Sequence, residues 1–195
     1  ALSVYAIPMG KYVDTESGLK VGFSSWRRID DNMIPARAKV TGAYINSALA
    51  KTEAHHNGFD EAIFLNQNGH VSEGSAENLF LVRDGVLVTP MTTDNILEGI
   101  TRASIVTLAE KELGLKVVSR SIDRTELYVA DELFLCGTGA QIAWVKEIDH
   151  RRIGNGRKGE ITAQLDKLYL EAVHGENPKY SSWLSPVYEK SLVNS

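Results

Sequence analysis

A single cysteine, Cys136, stands in the 195-residue chain, so no internal disulfide can form. That scarcity points to a reducing compartment, and the expectation is a cytoplasmic protein. No charge of one sign dominates: 21 Lys+Arg oppose 25 Asp+Glu for a formal net charge of −4, and no basic tract occurs. The balance argues against nucleic acid and against an anionic membrane surface as the main partner, and leaves small molecules. Long hydrophobic runs are missing as well. No stretch approaches the ~18 apolar residues that would suggest a bilayer-spanning helix. The first ten residues lack the basic n-region and the cleavage site of a signal peptide. Internal repeats and low-complexity segments are absent. What is there is 43% apolar and 24% charged, an ordinary globular composition. A chain of this length buries roughly 70% of its unfolded surface, enough for one large core without disulfides or structural metal.

Periodicity predicts a mixed α/β chain. Residues 19–26 read as a strand followed by a polar stretch, 27–32. Residues 43–56 read as a helix that sets Ile45, Ala48, Leu49 and Thr52 on one stripe, with Gly58 as its stop. Short strands are expected at 61–66, 71–72, 79–82 and 86–89, separated by Gln67-Asn68-Gly69 and Arg83-Asp84-Gly85. Asn-Gly and Asp-Gly tolerate positive φ, so this portion is expected to be an antiparallel meander. Thr101 is expected to cap a helix reaching residue 113, with Ile105, Leu108 and Ala109 inside and Gly114 ending it. Strands at 116–121, 132–136 and 141–148 follow. A last helix at 161–174 buries Leu165, Leu168, Tyr169 and Ala172. The tail after Gly175, with Pro178, Trp183, Pro186 and Tyr188, is expected to be irregular and docked by its aromatics.

Several chemical signals dissolve on inspection. Residues 154–159 spell GxGxxG, but a dinucleotide fold needs that motif directly after a buried strand, and here Asp149-His150-Arg151-Arg152 precede it. A charged turn is the better reading. His55 and His56 are adjacent on a helix and point about 100° apart, so they cannot share a metal, and His70, His150 and His174 are scattered; no metal site is expected. Cys136 lies in an apolar strand, where burial is commoner than nucleophilic use. Glu73 and Glu77 could be imagined as a glycosidase pair, but solvated carboxylates are the default. Two glycine turns carry more weight. Leu97-Glu98-Gly99-Ile100-Thr101-Arg102 runs into a helix whose N-terminal amides and dipole suit a phosphate. Gly137-Thr138-Gly139-Ala140 lies between two strands and offers bare amides and a hydroxyl to an anion.

The segment Ala38-Lys39-Val40-Thr41-Gly42-Ala43-Tyr44-Ile45-Asn46-Ser47-Ala48-Leu49-Ala50-Lys51 resembles the Schiff-base lysine segment of the branched-chain amino-acid aminotransferases, which are fold-type IV pyridoxal 5'-phosphate (PLP) enzymes. Further blocks of that family follow in order: Asp60-Glu61-Ala62, Gly69-His70-Val71-Ser72-Glu73-Gly74-Ser75-Ala76-Glu77-Asn78-Leu79-Phe80, Gly99-Ile100-Thr101-Arg102, Leu127-Tyr128-Val129-Ala130-Asp131-Glu132 and Gly137-Thr138-Gly139. The resemblance implies an α/β fold of α+β character, a β-rich pseudo-barrel core flanked by helices. It implies that Lys39 is the catalytic lysine bonded to PLP, that Tyr44 hydrogen-bonds the phenolic oxygen, and that Glu73 pairs with the pyridine nitrogen. Gly99, Ile100, Thr101, Gly137 and Thr138 would hold the phosphate, and Leu97 would pack on the ring. Thr138, Gly139 and Met9 would border the substrate.

The activity so implied is ping-pong transamination of leucine, isoleucine and valine with 2-oxoglutarate, by a homodimer or a hexamer. Tyr44 and the Glu77-Asn78 pair favour this class over D-amino-acid transaminases and aminodeoxychorismate lyases of the same fold, which remain the alternatives together with a catalytically silent PLP-binding module. Family members have a smaller N-terminal domain ahead of these blocks. The Met-less, apolar opening is therefore expected to be an interdomain turn at residues 1–10, with the PLP-binding large domain at 11–195 and the N-terminal domain missing.

Overall fold

The computed structural model describes residues 3–8 and 16–186. Among them nine strands make one sheet: β1 (Leu19–Arg27), β2 (Glu61–Leu65), β3 (Val71–Gly74), β4 (Asn78–Arg83), β5 (Val86–Thr89), β6 (Val117–Ser119), β7 (Glu132–Gly137), β8 (Gln141–Ile148) and β9 (Arg151–Arg152). Three helices accompany it: α1 (Tyr44–His56), α2 (Ile100–Glu112) and α3 (Glu160–Val173). The spatial order is β3-β2-β1-β8-β7-β4-β5-β6, with β9 attached to β8. β1 runs parallel to both β2 and β8, which is why β1 and β2 are joined by a long connection carrying α1. The far ends of the sheet approach each other, because Val71 N–H donates to the Ile122 carbonyl at 2.8 Å and His70 bridges to Asp123 just beyond β6. The sheet therefore curls into the expected pseudo-barrel.

Alternation along the central strands builds two cores. Leu79, Leu81, Leu133 and Leu135 point into the curl with Val21, Ile63 and Val71. Phe80, Val82, Phe134 and Cys136 point outward beneath α2 and α3, where Ile105, Leu108, Leu165 and Tyr169 cover them. Strands buried on both faces read as unbroken apolar runs rather than as alternation. Phe80 and Phe134 stack with centroids 5.1 Å apart. The buried faces expected of α2 and α3 are the observed ones, with Leu168 partly buried.

Three expectations are corrected. The meander is two separate hairpins, β2–β3 and β4–β5, since β4 pairs with β7 and not with β3. The turn chemistry holds locally: Asp84 and Gly85 have φ of 51° and 72°, as a two-residue hairpin turn requires. A turn signal says nothing about which distant strand completes the ladder. The α1 stripe is reversed. Ile45 is 68% and Leu49 42% exposed, while Ser47 is buried and Ala50 and Ala54 are buried against Phe59, Ala62 and Phe64. Small residues let the helix sit close to the sheet, and that closeness outweighs burying two larger aliphatics. The tail is not irregular over Pro178–Trp183, which forms a 3-10 helix capped by Asn177. Tyr180 docks it, donating its hydroxyl to Glu112 at 2.7 Å, while Tyr188 lies outside the described residues. No helix of the described residues is long and apolar enough to cross a membrane.

Candidate active site

At the open end of the curl, four parts of the chain meet around a cavity of about 560 Å³. The connection before α1 brings Lys39, and the first residue of α1 is Tyr44. β3 contributes Glu73. The approach to α2 and its first turn contribute Leu97, Gly99, Ile100 and Thr101, and the β7–β8 turn contributes Gly137, Thr138 and Gly139. Every sequence-derived site residue that the structure describes thus lines one cavity. Met9 lies outside the described residues, as do Ala1, Leu2 and Gly10 of the expected interdomain turn.

A short 3-10 turn, Thr41–Ala43, folds the chain back between Lys39 and Tyr44. Lys39 Nζ donates to Tyr44 Oη at 2.7 Å and lies 5.2 Å from the centroid of that ring. Lys39 itself is exposed at the cavity mouth, so its amine is accessible to an incoming carbonyl.

Glu73 and Glu77 are not the solvated carboxylates of the default reading; both are buried. Glu73 Oε1 is 2.9 Å from Arg28 Nη2. Its Oε2 accepts from Asn78 Nδ2 and from the Leu97 N–H, each at 3.0 Å. Burial pushes the Glu73 carboxyl up to about 7, with the neighbouring Arg28 charge as the main force pulling it back. Glu77 is pushed up to about 8, first by burial and then by the charge of Glu61. Glu61 pairs in turn with Lys51 of α1. Burial also raises the Cys136 thiol, which leaves it a neutral part of the wall.

The two phosphate-capable turns now stand in one place. Gly99, not Thr101, is the N-cap of α2, and it has no side chain to accept from the first amides of the helix. Thr101 is the second helical residue, buried, with Oγ1 3.4 Å from the Tyr169 hydroxyl. α3 makes a useful contrast. Its first turn is closed by the Glu132 carboxylate, which accepts from the Ile161 N–H at 3.1 Å and from the Thr162 N–H at 2.7 Å. The GxGxxG stretch is the turn between the exposed β9 and that self-capped helix, so it offers no phosphate site.

Two cavity residues, Arg28 and Asn78, carry weight that no sequence signal assigned to them. Arg28 sits in a polar stretch 45 positions from Glu73, and nothing in its local pattern marks it as buried. Asn78 belongs to a family block but had no role; its amide bridges Glu73 Oε2 and the Leu97 carbonyl, which it reaches at 2.9 Å. Arg102 turns away from the cavity instead, donating from Nε to Thr89 Oγ1 and from Nη2 to the Pro90 carbonyl, both at 3.1 Å.

The family model for amino-transferase class IV matches residues 1–148. The chain is 53% identical over 189 residues to a probable branched-chain-amino-acid aminotransferase of Aquifex aeolicus, covering 97% of this chain and 61% of that protein. It is similar in structure to the branched-chain aminotransferase of Thermoproteus uzoniensis solved with norvaline, with a TM-score of 0.89, 48% identity, and coverage of 94% of this chain and 60% of the other. A second neighbour, the branched-chain amino acid aminotransferase of Thermobaculum terrenum in its PLP form, aligns with a TM-score of 0.86 at 46% identity, covering 88% and 56% respectively. The chain therefore spans about 60% of the length of the relatives it matches.

Proposed function

The chain belongs to the class IV amino-transferases, and from that membership we propose that it carries the PLP site of an enzyme transferring amino groups between branched-chain L-amino acids and 2-oxoglutarate. The observation that carries the reading is the meeting, in one cavity, of an accessible lysine 2.7 Å from a tyrosine hydroxyl with a buried, arginine-paired glutamate and an uncapped helix N-terminus. Its volume suits a ligand of cofactor size. PLP fits on the chemistry of the residues. Arg28 Nη1 and Glu77 Oε1 are buried without a hydrogen-bond partner in the protein alone, and buried polar atoms are rarely left so. The PLP-bound and norvaline-bound relatives support the same choice.

PLP supplies, when bound, a ring that accepts the electron pair left at the substrate Cα. The protein does the rest. The Lys39 amine would anchor the cofactor, and the same amine, when free, would serve as the general base for the substrate Cα proton and as the general acid that gives it back. Tyr44 holds the phenolic oxygen, beside the lysine it already contacts. Glu73 holds the proton on the ring nitrogen. The N–H groups of Ile100 and Thr101, Gly99 and Gly137 at the turns, and the Thr138 hydroxyl bind the phosphate, where the α2 dipole favours negative charge. Leu97 packs on the ring, and Thr138, Gly139 and Met9 border the substrate. In this reading residues 11–195 act as the PLP-binding domain of a cytoplasmic homodimer or hexamer, and the exposed Ile45 and Leu49 of α1 support an assembly of that kind.

Borohydride reduction of the PLP-loaded protein is expected to fix the label on Lys39, read by peptide mapping. Lys39→Ala should lose the visible band and lower kcat with leucine and 2-oxoglutarate by about a thousandfold. A label on another lysine would overturn the assignment. Faster turnover of D-alanine than of L-leucine would move the protein to the D-specific class.

A further inference from the structure

Glu73 has two carboxylate oxygens and three donors. Two of these, the Asn78 amide and the Leu97 N–H, are neutral, and both serve Oε2. Neutral donors orient a carboxylate but bring no full charge to oppose the cost of burying one. Arg28 serves Oε1 at 2.9 Å and is itself buried. It is held from three sides: its backbone N–H donates to the Leu65 carbonyl at 2.9 Å, its Nε reaches the Asn95 carbonyl at 3.4 Å, and its guanidinium lies 5.6 Å from the Phe64 ring centroid. The other charged or titratable groups facing Glu73 are Lys39 from the connection before α1, Arg102 from α2 and Cys136 from β7. Lys39 is exposed and screened by solvent. Arg102 is engaged by Thr89 and Pro90. The Cys136 thiol is neutral. That leaves Arg28, which cannot lose its charge, as the group able to keep a buried glutamate ionised.

We propose that Arg28 is a positioning residue of this site: it keeps the Glu73 carboxyl ionised and fixed against Asn78 and Leu97, and so decides whether the ring nitrogen of bound PLP carries a proton. The first half of this concerns the protein alone; the second rests on the PLP reading above. A neutral Glu73 would donate its own proton toward the ring nitrogen or leave it bare, and the ring would then draw electrons poorly.

The test uses the full-length protein with Arg28→Met, which replaces the ion by a side chain of similar length, and Arg28→Lys, which keeps the charge. Circular dichroism and melting temperature confirm folding. In the cofactor-free protein, the Glu73 carboxyl is followed by difference infrared spectroscopy against Glu73→Gln. It is expected to titrate near 7 in the wild type, to stay protonated at about pH 8 in Arg28→Met, and to return to within about one unit of the wild type in Arg28→Lys. With ¹⁵N-labelled PLP bound, the ring nitrogen should be protonated at about pH 8 in the wild type and unprotonated in Arg28→Met, with kcat down about tenfold or more and the leucine KM little changed. An unchanged Glu73 titration in Arg28→Met overturns the proposal. A shifted titration with the ring nitrogen still protonated overturns its second half. If Arg28→Met does not fold, the neutral, polar Arg28→Gln takes its place: the proposal expects Glu73 to stay protonated at about pH 8 in it, and a wild-type titration with lowered stability, as a merely structural role predicts, overturns the proposal. Failure of wild-type PLP to bond Lys39 sinks the cofactor reading and leaves the cofactor-free titration to judge Arg28.

Discussion

Glu77 departs furthest from the behaviour of a glutamate in water. Burial and the Glu61 charge push it up to about 8, whereas the unfolded chain releases that proton near 4.5. Between those values the folded state holds a proton that the unfolded state has lost. This contribution to stability is therefore complete below about pH 4.5 and is lost as pH rises toward about 8, at roughly 1.4 kcal/mol per pH unit as an upper bound for one group. Glu77→Gln stays neutral throughout. Relative to the wild type it should gain a few kcal/mol between about pH 5 and pH 8, measured as the difference in urea unfolding free energy at the two values. A pH-independent difference would refute the buried neutral acid. At this scale the local pattern was informative where chemistry runs with the chain. Lys39 and Tyr44 are five residues apart in one motif that names both, and the fold brings Nζ and Oη to 2.7 Å. Arg28 was invisible, because its burial comes from Phe64, Glu73 and Asn95, three residues brought to it by β2, β3 and the approach to α2.

Elements carry the site's precision. Gly99 must come close to Asn78: a Cβ there would lie 2.1 Å from Asn78 Oδ1, and the same amide holds Glu73 and the Leu97 carbonyl. Gly99→Ala should displace Asn78, cost about 1–3 kcal/mol of stability by overpacking and weaken PLP binding by about tenfold or more. Absorbance titration with PLP and thermal melts check both effects. Helix positions and stops followed from periodicity and glycine, with Gly58 and Gly114 placed beyond the ends of α1 and α2 at φ of 79° and 62°. The buried face of α1 did not follow. Its Ile45-Leu49 stripe looks like a core face in one dimension, and only the fit of Ala50 and Ala54 against Phe59 and Phe64 turned it outward.

Across the whole molecule, stability comes from the two cores on either side of the β4–β7 ladder. Phe134 is fully buried between that ladder and the helices, stacked on Phe80. Phe134→Ala should cost about 3–5 kcal/mol, read as a fall in the denaturant midpoint, and should loosen α2, whose first turn lines the cavity. Leaving aside Arg28, the short β9 and the 3-10 turn at Pro178–Trp183, the amino-acid pattern is enough to place the main strands and the three helices, to mark the tight turns and, through its ordered motifs, to name Lys39, Tyr44, Glu73 and the two glycine turns of the cavity. These depend on neighbours a few positions apart, so local sterics and side-chain period suffice. Packing settles that β4 joins β7 rather than β3, that the α1 stripe faces out, that Gly99 and not Thr101 caps α2, and that Arg28 pairs with Glu73. Each is a competition among distant partners for the same buried space, and that contest is settled only when the sheet has curled and the desolvation of each charge can be weighed against the neighbour it meets.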